Sequence, residues 1–396
     1  MKPFGMLYLF ELKKILGQRL ISVSVLLGAF LILAANISPL LGTGYYYRYD
    51  APQGTVERSP GSYGEIEALR REYLRTLSGQ VLDEVLMDRL KENYRDSEAG
   101  TIQWNLNAYS PFLYLNTTEH RSRASAEEFY GEQVLRFQRE NRSEALTTAE
   151  LAYWQELAGT LEPLTLDYAG GWQAMAEHCG LLCQVTVLLV TVGLCRFCSE
   201  EHRARTDQLV LSSAKGKTEA FWARLAAGAS FAAGLALAFS LLQIILCGVW
   251  YGPDGFSTPL QLWTEGSSSA LHLSIGQFVL VLLALLVLAC AMTGAFVMLL
   301  SEWFRSAVPA MAVPFALAAA AVLDLFGGKG RLAEQIAGYL PFYRIGTYTL
   351  EDYYLVIFGG LPLNGIQFSF VLYFLLAGLF GILYRKCYRS YQVTGR

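Results

Sequence analysis

CGLLCQVTVLLVTVGLC (residues 179–195) and a second apolar run over residues 223–250 flank RFCSEEHRARTDQLVLSSAKGKTEAFW (196–222). The linker and its rim carry Arg196, Arg203, Arg205, Lys215, Lys217 and Arg224. A helix of roughly 20 apolar residues is what a ~30 Å hydrocarbon layer requires, so the stretch reads as a membrane hairpin. Short loops rich in Lys and Arg stay in the cytoplasm, which places 196–222 there. Its mixed charges, with Glu200, Glu201 and Asp207 among the cations, suit it to grip a soluble partner.

Four more segments qualify or come close: 21–41, 274–300, 308–326 and 366–384. None of the six holds a Lys or Arg in its interior, and Asp324, near one end of the fifth, is their only acid. The chain is 53% hydrophobic and 16% charged. Globular proteins approach that apolar share, so the clustering of apolar residues decides the class. The expected fold is an all-α polytopic membrane protein with six transmembrane helices.

Lys2, Lys13, Lys14 and Arg19 precede the first span, and Arg305, Arg385, Lys386, Arg389 and Arg396 lie on the same side as the 196–222 loop. The 251–273 loop has no Lys or Arg, and 327–365 has Lys329, Arg331 and Arg344. Both termini are therefore expected in the cytoplasm. Residues 44–177, with thirteen basic and twenty-two acidic residues, are expected outside. Tyr45–Tyr47, Trp172, Trp250 and Tyr251 fall at the outer interface, and Trp222, Trp303 and Tyr384 at the inner one. The first span runs longer than a signal-peptide core and no small-x-small site follows it, so it reads as an uncleaved anchor.

The chain divides into an amphipathic elbow (1–20), a first span (21–43), an exterior segment (44–177) and five further spans (178–396). Phe4, Leu7, Tyr8, Leu12, Ile15 and Leu16 recur at helical spacing in the elbow, against Glu11, Lys13, Lys14 and Gln18; the alternative is a first span that begins early. The exterior segment is expected to be mostly helical. Capping boxes at Ser62–Glu65, Ser125–Glu128 and Thr147–Glu150 open helical patterns, and Val81 to Leu90 reads as a further helix after Ser78-Gly79. Ile102, Trp104, Leu106 and Ala108 alternate as a short strand would. Residues 327–365 are too interrupted to cross. They read either as short helices re-entering the outer leaflet or as a plain outer loop packed on the bundle.

Chemistry is sparse. All seven cysteines lie in or beside spans, so the exterior segment is no disulfide scaffold, and Cys195-Arg-Phe-Cys198 lacks the second pair a zinc site needs. Gly216-Lys217-Thr218 resembles the end of a P-loop, but Leu211 stands where the motif requires glycine, so the chain is not expected to bind or hydrolyse ATP. Gln184, Gln243, Gln277 and Thr293 are polar and do not titrate. They join helices by hydrogen bonds or line a substrate path. Ion-coupled transport would have to rely on Asp324. No metal site or catalytic constellation is found.

The elbow, Phe197-Cys198-Ser199-Glu200-Glu201 followed by Arg205-Thr206-Asp207-Gln208-Leu209, and Leu211-Ser212-Ser213-Ala214-Lys215-Gly216-Lys217 come in a telling order. With the region before the last span and the basic, aromatic tail YRKCYRSYQVTGR, they resemble an ABC-transporter permease of the type-2 export class. The family often has glycine where Arg205 or its neighbour stands. The resemblance implies a half-transporter that exports a hydrophobic or amphipathic molecule. The loop then becomes a coupling element seated on a cytoplasmic ABC ATPase, formed by Phe197, Ser199, Glu200, Glu201, Arg203, Arg205, Asp207, Leu209, Leu211, Lys215 and Lys217. It further implies a second permease copy, identical or different, in a bacterial plasma membrane, with ATP and magnesium on the ATPase and no nucleic-acid partner. Two other readings stand beside it: a solvated loop near lipid head groups, and a membrane-anchored sensor or scaffold whose exterior segment binds a ligand.

Overall fold

The computed structural model describes residues 3–50, 55–86, 146–161, 163–204, 216, 218–263, 265–266, 269–326 and 329–390. Helix α1 (Pro3–Leu16) stops at Gly17-Gln18, and α2 (Arg19–Leu41) follows. The second helix therefore starts two residues before the expected span. Three long helices come later: α5 (Gly170–Ala204), α6 (Glu219–Trp250) and α7 (Ile275–Phe304). The last helix, numbered α11 in chain order, covers Gly365–Ser390.

Among the described residues, five helices are long and apolar enough to cross a bilayer: Arg19–Leu41, Gly170–Phe197, Glu219–Trp250, Ile275–Phe304 and Gly365–Arg389. Helix α7 forms the centre, packed against α5, α6 and α11, with α2 outside on α5 and α6. Of its most apolar stretch 67% is buried, against 17% for α11. The outward faces are large and apolar, including Leu26 and Phe30 of α2 and Phe374 and Ile382 of α11, as lipid contact requires.

The fifth apolar segment is shorter than expected. Helix α8 (Ala307–Val322) has 16 residues and spans about 24 Å at 1.5 Å per residue. Asp324 ends it, at φ 46° in the left-handed region, and the Tyr343 hydroxyl donates to its carboxylate at 2.9 Å. Even so, α7 and α11 both begin at one end of the bundle and finish at the other.

At the end where α7 and α11 begin, which we call the head, the connecting segments pack together. Among the described residues they combine the helices the sequence suggested with two β-hairpins it did not. Strands β1 (Thr43–Asp50) and β2 (Thr55–Ser62) form an antiparallel hairpin in register Thr43↔Ser62 to Asp50↔Thr55. A run of Tyr with Thr and Val favours a pleated strand over a helix. Helix α3 (Tyr63–Thr76) opens on the expected Ser62–Glu65 box and α4 (Thr148–Gly159) on the Thr147–Glu150 box. The helix expected from Val81 does not start there: Val81 bridges Thr165 in antiparallel fashion, and helical backbone appears only at 84–86. The Ser125–Glu128 box, the 102–108 strand and the helix around Phe129 lie outside the described residues.

Residues 327–365 are also mixed. Short helices α9 (Arg331–Gly338) and α10 (Pro341–Arg344) lead to a second hairpin, β3 (Leu355–Phe358) and β4 (Leu361–Asn364), that runs straight into α11. Glu150 stitches α4 to this region. Its Oε1 accepts from Arg331 Nη2 at 2.5 Å and from the Leu355 N–H at 3.1 Å, and its Oε2 accepts from the Thr147 N–H at 2.8 Å. Trp154 Nε1 donates to the Tyr353 carbonyl at 2.7 Å. Leu146, Trp154, Ala158, Ala270 and Tyr353 make a small second core there.

Candidate functional site flanking the 205–215 segment

The opposite, basic end gathers α1, the end of α5, the start of α6 and the end of α11. Helix α5 extends 35 residues to Ala204, about 52 Å at 1.5 Å per residue, so it outruns a ~30 Å hydrocarbon core. Phe197 is fully buried on it. Lys14 Nζ lies 5.2 Å from its ring centroid and the Arg224 guanidinium 5.8 Å. The same Arg224, only 3% exposed, reaches the Tyr388 ring at 5.6 Å. Such contacts are worth from about 0.5 to ~2 kcal/mol as water is excluded. Phe221 packs on Tyr384 and Tyr388 at 5.1 and 5.5 Å.

This cluster holds the chain on both sides of the 205–215 segment. On the entering side, Ser301 Oγ of α7 donates to the Cys195 carbonyl at 2.9 Å, and buried Ser199 donates to the Arg196 carbonyl at 3.3 Å. On the leaving side, the Tyr388 hydroxyl donates to the Gly216 carbonyl at 3.2 Å. Thr218 then precedes α6. Five helices thus meet the two ends of one connection.

Of the residues assigned to the coupling element, Phe197 and Ser199 are built into this base. Glu200, Glu201 and Arg203 lie on the last turns of α5 by their backbone, and their side chains are outside the described set. Arg205, Asp207, Leu209, Leu211, Lys215 and Lys217 are outside the described residues altogether. Arg224 was legible only as a loop charge, although its burial between two aromatic rings makes it the hub. An arginine six residues inside a helix that begins at Glu219, with a Tyr-x-x-x-Tyr pair in the basic tail, was the available signal.

The four polar residues of the expected substrate path are not brought together. Gln243 is buried and exchanges hydrogen bonds with Asn36. Gln277 closes a capping box with Ser274 at the head of α7. Gln184 is half-buried on α5, and Thr293 is buried on α7. None of them lines the cavity of about 520 Å³ at the head, whose walls come from α2, α3 and α5. Among the described residues no group of His, Cys, Asp and Glu could hold a metal. Cys195 is a free, buried thiol.

No known protein family, curated protein or solved structure matches the chain.

Proposed function

We propose that the chain is the membrane-spanning permease subunit of an ATP-driven exporter of the type-2 ABC class, working with a separate cytoplasmic ATPase. One observation carries this reading: both flanks of the 205–215 segment are tied into a single cluster of four helices through Phe197, Arg224 and Tyr388. A partner that displaces such a loop moves α1, α5, α6 and α11 together. A loop that merely rested on lipid head groups would need no buried arginine at its base, because burying a charge is costly unless it is well partnered.

In this reading the basic end faces the cytoplasm, with both termini, and α8 completes a sixth crossing with the help of the turn after it. Basic residues concentrate at that end, including Lys13, Lys14, Arg196, Arg305 and Arg385, in the sense of the positive-inside rule. Two permease copies, identical or different, flank a path for a hydrophobic or amphipathic molecule in a bacterial plasma membrane. ATP and magnesium belong to the ATPase.

Co-purification tests the proposal. The chain expressed with its genomic neighbours should retain an ABC ATPase, and reversing charge at Glu200 and Glu201 should release it while the chain stays folded. If no ATPase is retained, or if the reversal changes nothing, the permease reading fails and a membrane-anchored sensor or scaffold takes its place.

A further inference from the structure

The cavity of about 520 Å³ at the head opens between the end of α2, α3 and the first turns of α5. Its size is that of a small-ligand pocket, for which roughly 300–1,000 Å³ is usual. Most of its polar lining is already spoken for. Arg70, 4% exposed, gives Nη1 to Glu67 Oε2 at 2.6 Å and Nη2 to Gln173 Oε1 at 3.2 Å. Glu67 Oε1 in turn accepts from the Tyr168 hydroxyl at 2.6 Å. His178 rests Nδ1 2.5 Å from the Ala174 carbonyl and Nε2 3.2 Å from the Ala35 carbonyl. It pins α2 to α5 and offers the cavity no free nitrogen.

Glu177 is different. It lines the cavity and is exposed there. An ionised carboxylate accepts about four hydrogen bonds, so most of its capacity faces open space. Glu265 adds a further negative charge nearby, while Arg70 is already paired with Glu67. Tyr63 and Tyr251 supply aromatic walls, whose faces attract organic cations. Pro39, Leu40 and Ile66 make the rest apolar.

We propose that this cavity binds an amphiphile with an organic ammonium head, the head paired with Glu177 and the apolar body against Pro39, Leu40 and Ile66. The ammonium could be that of a lipid head group or of a soluble amine, since the recognition chemistry is the same. The site requires the described fold and no ATPase, so it goes beyond the permease reading and stands or falls separately from it.

Calorimetric titration of the full chain in phosphatidylglycerol nanodiscs tests it, with hexylammonium as probe, hexanol and hexanoate as matched controls, and empty discs as blank. Saturable hexylammonium binding is expected, about tenfold or more tighter than hexanol, with none for hexanoate. Glu177→Gln should weaken it about tenfold and Glu177→Asp should largely keep it, with thermal unfolding of both variants unchanged. Hexanol binding as tight as hexylammonium, or full affinity in Glu177→Gln, overturns the proposal. If phosphatidylethanolamine in the discs weakens hexylammonium binding, the head group is the occupant; if affinity holds, a soluble amine is. Both outcomes uphold the site, and none of these readouts involves nucleotide or a partner protein.

Discussion

Asn36 and Gln243 exchange two hydrogen bonds across the bundle. Asn36 Nδ2 donates to Gln243 Oε1 at 2.9 Å, and Gln243 Nε2 donates to Asn36 Oδ1 at 3.1 Å. Both amides are buried, and they join α2 to α6 where apolar surfaces alone would leave the rotation of α2 unspecified. Interhelical bonds in bilayers average about 0.6 kcal/mol and reach ~1.7. Asn36→Leu or Gln243→Leu should each cost about 1–2 kcal/mol, because each strands the other amide. The double variant should cost less than the sum. A thermal-unfolding double-mutant cycle in detergent measures this, and strict additivity would show that the pair does not couple.

Arg224 should be the least replaceable residue of the basic end. Arg224→Met keeps volume and removes the cation from between Phe197 and Tyr388, with an expected loss of about 1–2 kcal/mol. The same change should loosen the loop: trypsin should cut after Arg203 or Arg205 faster than in the parent chain. Arg224→Lys should fall between the two, since an ammonium lacks the planar guanidinium that spans both rings. Unchanged cleavage in Arg224→Met would dissociate the cluster from the loop.

The long helices were legible because an apolar run of span length has few other uses. Their ends were less so. Residues 170–177 read as part of the exterior segment, yet α5 begins at Gly170. What overrides the local signal is tertiary: Gly171 lies against the Gly252 backbone, and His178 bonds back to α2. The consequence reaches function, since Glu177 becomes part of a span helix and a cavity wall. Both hairpins were missed for another reason. Tyr45–Tyr47 fit an interfacial belt as well as a strand, and Gly359-Gly360 reads as a loop until both are seen at positive φ, 61° and 87°, as a two-residue hairpin turn requires. At the loop base the polar and aromatic residues were visible, but no periodicity says which tail tyrosine meets Arg224.

Glu150 should make the head sensitive to acid. Burial pushes its carboxyl up, but the Arg331 bond, together with those from Thr147 and Leu355, outweighs burial and holds it below the usual carboxylate range. A carboxyl whose folded pKa is depressed contributes stability above its unfolded value, about 4.5, and loses it as pH falls through the folded value. Detachment of α4 from the 331–355 region should therefore set in below that pH. Trp154, bonded to Tyr353, reports it: its emission should shift on acidification, with Trp154→Phe as blank. Glu150→Gln should abolish the pH dependence and leave a constant, weaker contact. A pH response that survives in Glu150→Gln would assign it to another group.

Two glycine substitutions separate close approach from helix propensity. A methyl at Gly171 would run into the Gly252 carbonyl oxygen, and that oxygen belongs to backbone that cannot turn aside. Gly252 itself sits at φ 95°, a conformation a side chain resists, so the turn after α6 has little freedom to retreat. Overpacking of this kind costs roughly 1–3 kcal/mol. Gly234, on α6, has nothing within 4 Å of an added methyl. There alanine should be neutral or stabilise by up to about 1 kcal/mol, the difference in helix propensity. Paired melts of Gly171→Ala and Gly234→Ala should therefore move in opposite directions or differ by several degrees. Equal melts would mean that α5 and the turn at Gly252 are not in contact in the membrane, and with that contact would go the wall that brings Tyr251 to the Glu177 cavity.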